Sequence, residues 1–226
     1  MSTYLDKSIQ LLGEECIKSL GDKTVLVIGL GGVGGTALEA LARSGIRKFV
    51  LIDFDVVDVT NLNRQILYTK ADVGRNKVDV AKERLLKINP NFEIETLNKK
   101  IEESTLDDVE LGKIDFIVDA IDYIAGKLHI IEFAIKHKIP FITSLGMGNR
   151  LNPEDVCLTK LNKTENDPLA KKLRYEVKQK GLDLKDVNVV FSKEIPLIKS
   201  PKPASMMMVP STAGLIIAKY FLRTIL

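Results

Sequence analysis

A chain of 226 residues, 45% of them hydrophobic and 28% charged, can bury a substantial core, which excludes a disordered protein. A net charge of +3 is too small to imply nucleic-acid binding by itself. The two cysteines, Cys16 and Cys157, cannot make a four-cysteine zinc site, and two isolated thiols fit a reducing, cytoplasmic compartment.

The N-terminal stretch MSTYLDKSIQLLGEEC lacks a basic start followed by an apolar run, so no signal peptide is expected. Cys16 falls in an amphipathic helix there. Residues 24–29 (TVLVIG) read as a short buried strand, β-branched and almost continuously apolar. Five glycines follow from its end: Gly29, Gly31, Gly32, Gly34 and Gly35. Gly29, Gly31 and Gly34 fit G-x-G-x-x-G, between that strand and a helix expected over 35–45, whose Leu38, Leu41 and Ala42 share a face. Such a loop lets the backbone approach a phosphate, and the helix N-terminus offers N–H groups and about half a positive charge. A turn that serves only helix–strand packing reads the same way, and the motif does not choose between NAD and ATP.

The second strand, 48–53, ends on Asp53, where a carboxylate can take ribose hydroxyls. The run DFDVVDVTNLNRQ then places acids at Asp53, Asp55 and Asp58, followed by Asn61, Asn63, Arg64 and Gln65. Lys77 opens a helix expected over 75–89, with Val78, Ala81, Leu85 and Ile88 at helical spacing and NPN as its stop. A dinucleotide needs one carboxylate here and no cluster of cations. A triphosphate needs cations for its outer phosphates and a metal held by carboxylate oxygens. Arg64 or Lys77 alone reads as a solvated surface cation; both beside the glycine loop point to ATP with magnesium.

The third strand, 114–119, carries Asp119 at its end, with Asp122 just beyond, at the sheet edge where ligands of open α/β sheets collect. A helix over 124–138 and a fourth strand at 140–144 continue the alternation. The pattern predicts an α/β fold: a Rossmann-like, doubly wound, mostly parallel sheet. After residue 145 come a loop (SLGMGNRLNPEDV), a strand (VCLTKL, with Cys157), a helix and a strand (VNVVFS). That helix has Asp167 as N-cap, Pro168 at its first position and Gly181 as its stop. Residues 206–226 are strongly apolar but interrupted by Pro210, Lys219 and Arg223, so a buried C-terminal helix is expected rather than a membrane span. One domain over 1–226 results, a nucleotide-binding half (1–145) with a sheet extension (146–226) for the substrate. Both cysteines read as packing residues.

Residues 160–202 hold 11 Lys and Arg against 6 Asp and Glu. Lys171, Lys172, Arg174, Lys178 and Lys180 crowd the one predicted helix. Composition alone makes this a solvated face. Aromatic residues are 6% of the chain and tryptophan is absent, so no RNA-stacking motif is present.

GLGGVGG, IDFDVVDVTNLNRQ, VGRNKVDVAKERLLKINP and VDAID resemble the adenylating domain shared by ubiquitin-activating enzymes and their bacterial relatives in thiamine and molybdopterin biosynthesis. SLGMGNRLNP, KTENDPLAKKLR, VVFSKEIP and MMMVPSTAGLIIA narrow the resemblance to the tRNA threonylcarbamoyladenosine dehydratase family, over nearly the whole chain. The resemblance implies ATP-dependent cyclisation of threonylcarbamoyladenosine beside the anticodon, through an acyl-adenylate. It implies that Gly29 to Gly35 cradle the nucleotide, that Asp53 holds ribose with Asp55 beside it, and that Asn63, Arg64, Gln65 and Lys77 hold the phosphates. It also implies that Asp122 helps place magnesium and that Arg64, Lys77 and Asp122 carry the chemistry. Lys171, Lys172 and Arg174 become a surface for tRNA phosphates. A homodimer and a sulfur-relay partner are further implications.

Two departures stand out. Val189 and Val190 occupy the strand where some members carry a cysteine, and Lys7 stands nearest to an arginine that reaches the partner subunit's ATP in relatives. The competing reading is an adenylyltransferase acting on the C-terminus of a ubiquitin-like sulfur carrier. The absence of zinc cysteines and the match of the back half disfavour it. A non-catalytic or NAD-dependent protein is disfavoured by Arg64 and Lys77.

Overall fold

The computed structural model describes residues 3–102, 105–109, 114–198, 200 and 203–225. Its strands are β1 (Thr24–Ile28), β2 (Lys48–Ile52), β3 (Glu93–Leu97), β4 (Phe116–Asp119), β5 (Phe141–Ser144), β6 (Val156–Lys160) and β7 (Asn188–Ser192). They form one sheet in the order β3-β2-β1-β4-β5-β7-β6, in which every neighbouring pair is parallel except β6 with β7.

The apolar run of β1 is explained by burial on both faces. Val25 and Val27 belong to one core, Leu26 and Ile28 to the other. Helices α3 (Gly32–Arg43), α4 (Lys77–Ile88) and α7 (Met208–Ile225) cover the first face, and α5 (Ile124–His137) and α6 (Pro168–Gln179) the second. The strongly apolar C-terminus is α7, whose Ala213, Ile217 and Phe221 are buried against that first core. Among the described residues no helix is long and apolar enough to cross a membrane.

Three differences from the expected elements have physical causes. Strand β3 lies at the sheet edge, half-buried or exposed throughout, so Glu93 and Glu95 break the apolar signal that marked the inner strands. The N-terminal helix is two helices, α1 (Asp6–Leu12) and α2 (Glu14–Asp22), parted at Gly13 with φ +87°. The helix after the glycine loop begins at Gly32, three residues before the apolar periodicity does. The back third joins the same sheet through β7, which pairs parallel with β5 and antiparallel with β6.

Candidate active site

A cleft of about 700 Å³ opens at the carboxyl ends of β1, β2 and β4, where the strand order reverses direction about β1. The glycine loop forms its floor. Gly29 takes φ +89°, and its N–H donates to the Ile52 carbonyl at 2.8 Å, tying the turn to β2. Gly29, Gly31 and Gly32 line the cleft. Gly34 and Gly35 face inward instead: a Cβ on Gly34 would collide with the Gly29 carbonyl, and one on Gly35 would press on Leu67. The glycines therefore divide between ligand approach and helix packing.

Asp53 is buried at the end of β2. Its Oδ2 accepts the Leu30 N–H (2.6 Å) and its Oδ1 the Asp55 N–H (2.8 Å). The carboxylate thus fastens the glycine loop to the following segment, and each oxygen keeps a lone pair for a hydroxyl donor. Burial raises its pKa, while the Lys77 charge and the two N–H donors act against that rise.

Lys77 is the first residue of α4, and its side chain is only 5% exposed. Its Nζ lies 2.8 Å from Asp55 Oδ2, on a half-exposed carboxylate. Arg64 Nη1 donates to the Thr60 carbonyl (2.7 Å) and to Asn63 Oδ1 (3.0 Å), which aims the guanidinium along the cleft wall. Gln65 is buried and lines the cleft, and its Oε1 has no hydrogen-bond partner among the described residues. Asn63 lies off the wall: its Nδ2 donates to the Ser205 carbonyl (2.9 Å), on the segment that leads into α7. Asn61 lines the cleft instead, held in a capping box with Asp58. Both asparagines belong to one short run, and only the 3-10 turn at 59–61 decides which of them faces inward.

The two aspartates after β4 part company. Asp122 is exposed and lines the cleft. Asp119 is fully buried, and Lys127 Nζ sits 3.0 Å from both its oxygens. Lys127 had one sequence signal, a lysine on an otherwise apolar helix face. At the cleft mouth, Lys100 Nζ stands over the Phe54 and Tyr123 rings, at 5.8 and 5.2 Å from their centroids. Neither cysteine lines the cleft; burial pushes the Cys157 thiol up, against the effect of Lys193.

A second cavity, about 960 Å³, adjoins the first and shares Gly146, Gly148, Leu169 and Pro203 with it. The helix cations sort by their position on α6. Lys171 and Arg174, one turn apart, line this cavity; Lys172 is exposed outside it, and Lys180 pairs with Glu132 at 3.1 Å.

The sheet order and the nucleotide-sized cleft over the glycine loop define a doubly wound nucleotide-binding protein. The chain belongs to the ThiF family, whose model matches residues 5–174. It is 36% identical to the tRNA threonylcarbamoyladenosine dehydratase of Bacillus subtilis, over 95% of this chain and 91% of that protein. With the Escherichia coli enzyme of that name it shares 37% identity over 82% of this chain and 71% of that protein. The crystal structure of the Escherichia coli enzyme in complex with ATP superposes with a TM-score of 0.92, at 33% identity, covering 98% of this chain and 93% of that chain. By contrast, the Escherichia coli molybdopterin-synthase adenylyltransferase, 36% identical, matches only 58% of this chain and 51% of that protein.

Proposed function

We propose that the protein is an ATP-dependent tRNA threonylcarbamoyladenosine dehydratase. The observation that carries this reading is the match to the dehydratase over 95% of the chain, and therefore across both halves, where the molybdopterin-synthase relative matches only 58%. The modified adenosine lies beside the anticodon of its tRNA.

The threonyl carboxylate attacks the α-phosphorus of ATP, forming an acyl-adenylate and releasing pyrophosphate. A neighbouring atom of the same modified base then attacks the acyl carbon and closes a ring. The carboxylate oxygen leaves with AMP, so the product lacks the elements of one water. The attacking atom is tethered, which gives it a high effective molarity and removes the need for an enzyme nucleophile. The absence of a cysteine from the cleft lining fits that requirement.

Each proposed role rests on placement in the cleft. Gly29, Gly31 and Gly32 admit the phosphates to the backbone, and Asp53 receives the ribose hydroxyls. Arg64 and Lys77 offset charge on the phosphates as pyrophosphate departs. Lys77 would exchange its Asp55 partner for a phosphate oxygen. Gln65 offers its unpartnered oxygen to a ligand donor. Asp122 suits magnesium, which takes one or two protein carboxylates and completes its shell with phosphates and water. When bound, magnesium would neutralise phosphate charge. The division into a nucleotide-binding half (1–145) and a substrate-binding extension (146–226) is supported by the second cavity, which is lined from Gly146 onward, although the extension also contributes residues to the nucleotide cleft. A homodimer in the cytoplasm and a sulfur-relay partner complete the proposal.

The test is turnover of tRNA carrying threonylcarbamoyladenosine with ATP and magnesium, read by nucleoside mass spectrometry and AMP release. Adenylation of a ubiquitin-like C-terminus with the tRNA left unchanged would favour the competing adenylyltransferase.

A further inference from the structure

The second cavity is built from unlike walls. One is aliphatic, with Leu169, Ile195, Pro196, Ile198 and Pro203. Another is cationic, with Lys171 and Arg174 along α6. Arg174 is already anchored: its Nη1 donates to the Thr164 carbonyl at 2.9 Å and to the Thr164 hydroxyl. Among the described residues Lys171 has no ion-pair partner.

At the base lies Arg150, a buried guanidinium whose hydrogen bonds all run to backbone carbonyls. It donates to Gly146 (2.7 Å), Gly148 (3.2 Å), Asn166 (3.0 Å) and Glu194 (3.1 Å). Its bonds fix the loop 146–150 at the junction of the two cavities. Asn149 also lines the cavity. Its N–H donates to the Ala204 carbonyl (2.6 Å), and its Oδ1 accepts the Ala204 N–H (2.8 Å). Leu197 N–H in turn donates to the Asn149 carbonyl (2.8 Å), so the aliphatic wall is held in place by backbone bonds.

We propose that this second cavity seats the modified purine nucleoside itself, extruded from the RNA, with its threonyl carboxylate directed over Gly146 and Gly148 into the nucleotide cleft. The proposal rests on the dehydratase reading and adds the place of its second substrate. A volume of about 960 Å³ is ample for a nucleoside. The aliphatic wall offers the flat surface that a purine face needs in a chain without tryptophan. Lys171 and Arg174 line the same cavity along α6, where the flanking phosphates of an extruded nucleotide would run. Gly146, Gly148, Leu169 and Pro203 border both cavities, so a carboxylate borne on the base has only that shared edge to cross to reach the ATP.

The experiment compares two anticodon stem-loop RNAs that differ only in the threonylcarbamoyl group on one adenine. Both are titrated into the whole protein with a non-hydrolysable ATP analogue present. The native protein should prefer the modified RNA by at least about tenfold. Ile195 and Ile198 are exposed, 70% and 51%, so Ile195→Asp and Ile198→Asp should leave folding and ATP-analogue affinity intact. Each should bring the preference close to one, because only the modified adenine is drawn out onto that wall. Lys171→Ala should weaken both RNAs alike and keep the preference. Full preference in both aspartate variants would overturn the placement. A native protein that neither prefers nor consumes the modified RNA would overturn the dehydratase reading beneath it.

Discussion

Lys127 and Asp119 form an ion pair with no solvent exposure on either side chain, directly beneath the loop that carries Asp122. The Asp119 Oδ1 also accepts the Ile121 N–H at 3.2 Å, so the pair holds the backbone that enters the cleft. Removing one partner leaves a buried charge uncompensated, which typically costs about 3–5 kcal/mol. Lys127→Met should therefore lower the urea midpoint strongly and weaken ATP binding. The double variant Lys127→Met, Asp119→Leu should recover much of the stability. It should recover less of the affinity, because the Ile121 N–H remains without its acceptor. Urea unfolding beside calorimetric ATP titration separates the two effects.

Arg64→Ala, Lys77→Ala and Asp122→Ala should each reduce turnover by roughly a hundred- to thousand-fold, the usual range for a charged group acting on developing charge in a site that excludes water. The fold should survive in all three. Asp122 is exposed, and Lys77 is paired with a half-exposed carboxylate whose loss of a partner is screened by solvent. The measurement is AMP release with modified tRNA, beside a thermal melt. A variant that keeps most of its activity has no part in the chemistry.

The inner strands, the glycine loop and helices 4 to 6 were legible because their burial produces strong periodicity. Strand β3 was not, since an edge strand with Glu93 and Glu95 lacks that signal. Within the site, residue type was readable but direction was not. Asn61 and Asn63 are chemically identical in the sequence, and a single 3-10 turn sends one to the cleft and the other to Ser205. Asp119 and Asp122 are likewise separated only by depth, three residues apart at a strand end. Lys171 and Lys172 are neighbours on α6, and helical geometry turns only the former to the cavity.

Asp53 should impose a pH dependence on nucleotide binding. Burial raises its pKa above the usual carboxylate value, although Lys77 and two N–H donors oppose this. Ribose hydroxyls bind the ionised form, so ATP affinity should fall as pH drops through the raised value, at a higher pH than an ordinary aspartate would produce. The sign for the unliganded fold is opposite. Its stability rises as pH falls through the same window, because the folded chain there binds the proton more tightly than the unfolded one. Titrations of the native protein and Asp53→Asn from pH 7 down to about 4.5 check this; the variant should bind weakly with a flat profile.

The double variant Cys16→Ser, Cys157→Ser should still cyclise its substrate. Cys16 lies on α2 and Cys157 on β6, opposite Phe191, and neither reaches the cleft. Nucleoside analysis of the reacted tRNA is the readout. Loss of product with melting temperature and ATP affinity unchanged would require a thiol step that the tethered attack does not supply.

The placement of the α6 cations bears on RNA binding. Lys171 and Arg174 face the second cavity, whereas Lys172 is exposed outside it. Each phosphate neutralised by a cation releases counterions and adds to the salt dependence of binding. Replacing Lys171 and Arg174 together with alanine should weaken tRNA binding and reduce the log–log salt slope by roughly one to two units. Lys172→Ala should change the slope far less, although its charge is the same. Net charge alone would make the three residues equivalent, so the difference between them isolates the geometry. ATP affinity should be unchanged in all of these variants, because none of the three lines the nucleotide cleft. Filter binding across a salt series measures the slope, with ATP titration of each variant beside it. Equal, small effects from Lys171, Lys172 and Arg174 would leave this helix a solvated lysine-rich face and move the RNA-binding surface elsewhere on the protein.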